Sequence, residues 1–577
     1  MSLRPPGAPD QRKNAAETFD GPAASSGSGR TAARRTSCAG TPRRHARVRK
    51  LMQDDALSLH ARIGRVAGVL IEIGIYFLLF LTPFAFGGNE LWVRGVIQIV
   101  AGFVVLVFLL DRMAAAKRPR RADRRVVLLV GVPIALFVLL ILFQTVPLPP
   151  SVLRSLSPST HETYVQTVPG YAEGRDLEIA EIPRWLVERT PDLPEADPDE
   201  MASLFAPRVE GSDMTLSFPL RRSLSLVPSV TLQRLTIFLC WAGLFGVVVA
   251  HFNTRQKLQR LVIAAVSCGF ALSFFGIVQR LTWNGKIYWV QGDNYQTAFA
   301  SFVNRNSYAA FAGTLIPVAV CMTLAAWGRV REGDQEAMPR LMLAGFAAVT
   351  ITGGVFFSLS RGGILGTALS LALTLVLVLI YGGRRGRVPA IALMGTLAVF
   401  SVAFLAWIGP EQVLERIGTL SKGQSEPSFA HRVKAWERAI PMWQDFETFG
   451  TGLGTFRYAF LKYAPPGGEW WTTAHNEYLE LLCETGIVGG ILFLAGLAGY
   501  LFLVLRPWKL GKGAGLYLYI GILTGIAGLL LHSAVSANLQ TPANGLLLVL
   551  MGAALLRHVL TEEQERREVP TGPRRIA

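Results

Sequence analysis

Charge is scarce in this 577-residue chain: Asp, Glu, Lys and Arg make up only 17% of it, against about 25% in an average soluble domain. With 51% apolar residues, that deficit excludes an ordinary string of soluble domains. Cysteine is also rare. The five, Cys38, Cys240, Cys268, Cys321 and Cys483, share no redox or metal-ligand spacing, so neither a disulfide framework nor a zinc site is expected. No secretory signal is read at the N-terminus, because a long basic tail, not a short charged region, precedes the first apolar run. Internal repeats of the kind transporters carry are missing as well. The glycine-rich "FGTGLGTF" lacks the lysine of a phosphate-binding P-loop.

What the chain does have is long apolar runs. Twelve stretches of roughly 20 residues, the length that crosses about 30 Å of hydrocarbon as a helix, are read at 66–86, 91–110, 126–148, 230–250, 261–279, 307–327, 341–359, 364–381, 389–408, 486–505, 515–536 and 543–560. The expected fold class is an all-α polytopic membrane protein. Between Leu341 and Tyr381 the one charged residue is Arg361. As a single helix this run would measure about 62 Å, roughly twice the hydrocarbon thickness, so "SRGG" at 360–363 is expected to turn a hairpin.

Charge orders these spans. The net charge of +17 sits mostly in short loops, among them 112–125 with seven Lys/Arg, 255–260, 329–340, 384–387 and 506–512. Alternating twelve spans from a cytoplasmic N-terminus puts all five on the cytoplasmic side, as the positive-inside rule requires. Topology and anionic headgroups then account for the basic excess without nucleic acid. The same alternation places "SRGG" outside. It also divides the chain into a disordered basic tail (1–65, with Met52 as an alternative start), three spans (66–148), a long acidic outer loop (149–229), six spans (230–408), a second long outer loop (409–485), three spans (486–560) and a cytoplasmic tail (561–577). "PDLPEADPDE" in the acidic loop reads as a solvated tract.

The second outer loop holds the residues with chemical potential. "PSFAHRVKAWERAIPMWQDF" sets Phe429, Val433, Trp436, Ile440 and Trp443 at helical spacing, which predicts a helix lying apolar side down on the membrane surface. His431, Arg432, Lys434 and Arg438 occupy its other faces, either as a solvated basic face or as contacts for an anion. Further on, "EWWTTAHNEYLELLCETGIVGG" places His475 at the beginning of a helix. Trp470 and Trp471 suit an interfacial belt or the apolar faces of sugars.

These residues resemble the O-antigen ligase family of bacterial envelope glycosyltransferases, which also includes polysaccharide polymerases and protein O-oligosaccharyltransferases. The family's signature, His, then Asn, Ser or Gln, nine residues, Gly, two residues and Gly, Thr or Tyr, is matched by His475, Asn476, Gly486 and Gly489. "SRGG" resembles its Ser-Arg turn, "RVKAWERA" the pattern opening its large periplasmic loop, and "FVNRNSYAAF" at 302–311 the start of a mid-chain span. The likeness runs over about residues 230–545.

The resemblance implies a GT-C-like, metal-independent enzyme without cofactors, in the inner membrane with both termini cytoplasmic. It would move a glycan from undecaprenyl diphosphate to an acceptor hydroxyl, on lipid A core or a growing polysaccharide, at the periplasmic face. Arg361 and Arg432 would clamp the diphosphate, because guanidinium forks pair with phosphate oxygens. His475 would take or orient the acceptor's proton, and Asn476 would position it. Arg305, Arg438, Arg457, Trp470 and Trp471 would contact lipid diphosphate or glycan. A polymerase or a protein O-oligosaccharyltransferase of the same family is the alternative, and a lipid-linked sugar transporter a more remote one. For the bare residues a structural reading stays open: Arg361 snorkelling to headgroups, His475 packing at the loop's end, Arg432 paired with Glu437.

Overall fold

The computed structural model describes residues 42–114, 123–168, 170–174, 177–179, 216–218, 220–290, 297–408, 427–465, 471–505 and 513–568. Contacts divide the chain into two units, Met1–Ala61 and Arg62–Ala577. The described part of the first is helical, as the beginning of α1 (Pro42–Phe84). Helix thus starts inside the stretch expected to be a disordered tail, since residues 43–61 contain neither glycine nor proline and favour helix wherever they are ordered.

The second unit continues with α2 (Leu91–Ala114), α3 (Arg124–Gln144), α4 (Pro150–Leu156), α5 (Pro158–Thr167), α6 (Pro228–His251), α7 (Arg255–Leu281), α8 (Arg305–Arg331) and α9 (Met338–Phe357). These are followed by α10 (Arg361–Tyr381), α11 (Gly383–Ile408), α12 (Pro427–Asp445), α13 (Glu477–Leu505), α14 (Ala514–Ser533) and α15 (Pro542–Glu568). One antiparallel ribbon pairs β1 (Leu177–Ile179) with β2 (Leu216–Phe218), Leu177 opposite Phe218. Among the described residues, eleven helices are long and apolar enough to cross a membrane, which makes this an all-α, multi-pass membrane protein. They match eleven of the twelve expected spans; the remaining one, 389–408, falls in α11, whose apolar stretch Gly386–Phe400 is shorter.

The helices form a core and a lipid-facing ring. The apolar windows of α8 and α15 are each 83% buried, against 22% for α2, α3, α6 and α13. In lipid there is no hydrophobic drive to bury leucine against leucine, so close packing rests on small residues. Here α14 approaches α8 through Gly521 and Gly525: a methyl group on Gly525 would lie 2.2 Å from the carbonyl oxygen of Thr314. Between α9 and α10 the hairpin breaks at Ser358–Ser360. Leu359 takes a left-handed φ of 53°, and the Ser360 hydroxyl accepts from the Gly363 amide at 3.2 Å as N-cap. Arg361 is therefore the first residue of α10 rather than part of the turn.

Both long loops are partly built. In the first, α4 and α5 pack Leu153 and Tyr164 against Tyr171 and Leu224, while "PDLPEADPDE" lies outside the described residues. In the second, α12 and the turn that follows it bury Ala435, Ala439, Met442 and Phe446 against Phe456, Phe460, Trp471 and Cys483. This face packs on the protein, while Phe429 and Ile440, on the face expected to lie against the membrane surface, stay exposed. Small alanines let α12 dock on α13, which the spacing of large apolar residues alone did not reveal.

Candidate active site

The site is assembled where four helices begin. The Ser360 hydroxyl donates to Asn306 Oδ1 at 2.7 Å, tying the first turn of α10 to that of α8. Thr541 donates to Ser307 Oγ at 2.9 Å, which brings the start of α15 to the same point. Glu477, the first residue of α13, accepts from the Leu539 and Gln540 amides at 2.7 and 3.2 Å. Helix starts carry partial positive charge and unpaired amides, so their convergence favours anions.

Arg361 enters this cluster at the first position of α10. Beside it, Gly362 and Gly366 leave room for the ring of His532, at the end of α14: a methyl on Gly362 would lie 2.8 Å from its Nε2. His532 is 4% exposed. The field of the Arg432 guanidinium reaches both His532 and His475. Burial also draws Arg432 itself below the usual arginine range. His532, buried against the first turn of the helix that Arg361 opens, was missed by sequence reasoning. The available signal was a histidine within "LLHSAVSANLQTPAN", a polar break between two apolar spans.

His475 is held with some strain. Its φ of 51° is left-handed, a region that costs an L-residue about 1–2 kcal/mol. The preceding peptide is pinned on both sides: the Ala474 amide donates to Glu480 Oε2 at 2.9 Å, and Trp436 Nε1 donates to the Ala474 carbonyl at 2.9 Å. The following residue, Asn476, caps α13, its Oδ1 accepting from the Tyr478 and Leu479 amides at 3.0 and 3.1 Å. Burial, then the Arg432 guanidinium and then His431 push the His475 imidazole down to about 4, so it is neutral at physiological pH. A neutral ring can accept a proton as a cationic one cannot.

The two motif glycines have structural reasons. Gly486 interrupts α13 at φ 63°, ψ −169°, a conformation reserved for glycine, and a methyl there would lie 2.3 Å from the Thr448 carbonyl. The "FGTGLGTF" loop packs into this kink, with the Gly452 amide donating to the Glu484 carbonyl at 2.9 Å and Ile487 to Glu447 at 2.6 Å. This backbone lock accounts for the glycine-rich stretch. Gly489 leaves space for the Thr485 side chain, whose hydroxyl would lie 2.1 Å from an added methyl.

The remaining expected contacts fall differently. Arg305 opens α8 next to Asn306, beside the Arg361 turn. Arg438 is exposed on α12, roughly a third of a turn from the face of Arg432. Arg457 stacks on Tyr458 at 4.6 Å and, with Arg234 and Glu477, lines the polar side of a cavity of about 550 Å³ whose walls are apolar, including Phe137 and Phe493. Trp471 is 5% exposed and offers no open stacking face. Its Nε1 donates to His431 Nδ1 at 3.1 Å, which puts the proton of a neutral His431 ring on Nε2, 6.0 Å between ring centres from His475. Trp470 lies outside the described residues. Among the described residues, no three His, Cys, Asp or Glu side chains gather as a metal site.

Residues 346–494 match the family model described as O-Antigen ligase. The chain carries an O-antigen ligase family domain. Arg361, Arg432, His475 and Gly486 lie within the matched segment of this domain; Arg305, His532 and the 538–544 segment that completes the cluster lie outside it. No curated protein matches the chain.

Proposed function

We propose that this protein transfers a glycan from a polyprenyl diphosphate, undecaprenyl diphosphate being the expected carrier, to an acceptor hydroxyl at the periplasmic membrane face. The reading is supported above all by the convergence of helix starts: Ser360 ties the Arg361 turn of α10 to the start of α8, Thr541 joins α8 to the start of α15, and Glu477, two residues after His475, holds the segment before α15. In the reaction, the acceptor oxygen bonds to the anomeric carbon as the bond from that carbon to the diphosphate oxygen breaks, and the electron pair leaves on the diphosphate. Arg361, Arg432 and the helix starts oppose the charge that accumulates there. His475 accepts the proton of the attacking hydroxyl. Its low basicity in the free enzyme suits this order of events, because bound diphosphate supplies negative charge that raises the affinity of the ring for a proton. The apolar cavity beside Arg234 and Arg457 suits the hydrocarbon chain of such a carrier.

Alanine at Arg361, Arg432 or His475 is expected to abolish transfer while leaving the protein in the membrane. Full activity of His475→Ala on a purified lipid-linked glycan would remove the base assignment. Loss of one guanidinium should cost roughly 3–4 kcal/mol of transition-state stabilisation, by analogy with the loss of oxyanion-hole donors. Sizing the glycans of a deletion strain on a gel separates the acceptor classes. Lost attachment with long lipid-linked chains intact indicates a ligase, and single repeats still attached indicate a polymerase.

A further inference from the structure

We infer that His532 is a positioning residue of the diphosphate site, seating the first turn of α10 so that Arg361 faces Arg432; this rests on the diphosphate reading above. Three observations carry it. The ring lies across a glycine pair, Gly362 and Gly366, with Nε2 2.8 Å from where a Gly362 methyl would be and Cβ 3.3 Å from that of Gly366. It is 4% exposed, so the ring is enclosed rather than free to swing away from the turn. It also comes from α14, which packs closely on α8 through Gly521 and Gly525, while α8 is joined to the α10 turn by Asn306 and Ser360. The imidazole is therefore a wedge driven from the buried core against the helix turn that begins with Arg361, and the Arg432 guanidinium stands within electrostatic reach of it.

A wedge acts through shape, so its effects should be coupled to Arg361 and to the glycine it covers. Without the ring, the first turn of α10 gains freedom and Arg361 no longer holds one orientation. A methyl at Gly362 displaces the ring to the same effect. With the ring already gone, that methyl has room.

The test measures binding of farnesyl diphosphate, a short polyprenyl diphosphate, to the detergent-purified full chain, with donor and acceptor KM from the transfer assay. His532→Ala and Gly362→Ala should each weaken binding at least tenfold and raise donor KM, with acceptor KM unchanged. The double variant H532A/G362A should bind no more weakly than H532A alone. Likewise, H532A/R361A should lie within about threefold of R361A, because residues that act as one unit are not additive. Wild-type affinity of both H532A and G362A overturns the inference, as do losses that multiply in the double variants. A loss that falls equally on donor and acceptor also overturns it. If His532→Ala does not fold, Gly362→Ala decides the matter by the same tenfold criterion. Arg361→Ala binding as wild type would overturn the diphosphate reading and this inference together; weak binding by R361A with wild-type binding by H532A would overturn this inference alone.

Discussion

Lowering the pH tests the environment of His475 directly. An unperturbed histidine titrates near 6.5, so at about pH 5.5 only about 9% of it would be neutral. At the value of about 4 set by burial, Arg432 and His431, about 97% remains neutral at the same pH. The ring must be neutral to accept a proton, so the two cases differ about tenfold in rate. The assay is transfer from a lipid-linked glycan by purified protein at subsaturating donor, because kcat/KM reports the groups of the free enzyme. The acid limb of kcat/KM should fall near pH 4. Under saturating donor, the limb of kcat should lie higher, because bound diphosphate favours the protonated ring. An acid limb of kcat/KM centred near 6.5 would refute the argument that His475 is desolvated and faces cations. An Arg432→Gln variant supplies the internal check: with one cation gone, the limb should move up.

Three further perturbations follow from the geometry. Gly486→Ala places a methyl 2.3 Å from the Thr448 carbonyl at a glycine-only conformation, and should cost more than about 3 kcal/mol, read as a lowered unfolding temperature in detergent. Asn476→Ala removes the cap of α13 at about 1 kcal/mol; transfer should fall further than stability, and Asn476→Ser, which keeps a capping oxygen, should restore most of both. Trp471→Phe deletes the indole N–H that His431 Nδ1 accepts, a loss of about 0.5–1.5 kcal/mol. Thermal unfolding should register this, and because Trp471 offers no open face, its effect on acceptor KM should be small.

Much of the architecture was legible in the chain because the bilayer imposes a simple requirement: a spanning segment must be long, apolar and internally hydrogen-bonded. The run around Arg361 was too long for one span and carried an arginine too costly for mid-membrane, so a break was required, and the structure puts one at Ser358–Ser360. The helix after the tryptophan pair was readable from its polar start, but it begins at Glu477 and leaves His475, expected at the beginning of the helix, outside it in a left-handed conformation. α12 was read as a helix from its large apolar residues, but the face that docks on α13 was not, because two alanines, which carry little apolar weight in a periodicity, allow that docking.

The site was legible only as separate parts. Sequence alone put Arg361 at a break between two spans and Arg432 and His475 in a long loop between spans, since charge and helix length act locally along the chain. It also determined that the segment around them resembles a ligase domain. Only the tertiary structure decided which residues meet. Asn306 and Ser360 join across 54 positions, Glu480 and Gln540 across 60, and His532 reaches Gly362 from a helix packed through glycines. Trp471 was assigned to substrate from its residue type, yet the fold buries it against His431. The physical reason is that helix packing in lipid depends on where side chains are small enough for backbones to touch, and the partner that fills each such space comes from a distant part of the chain.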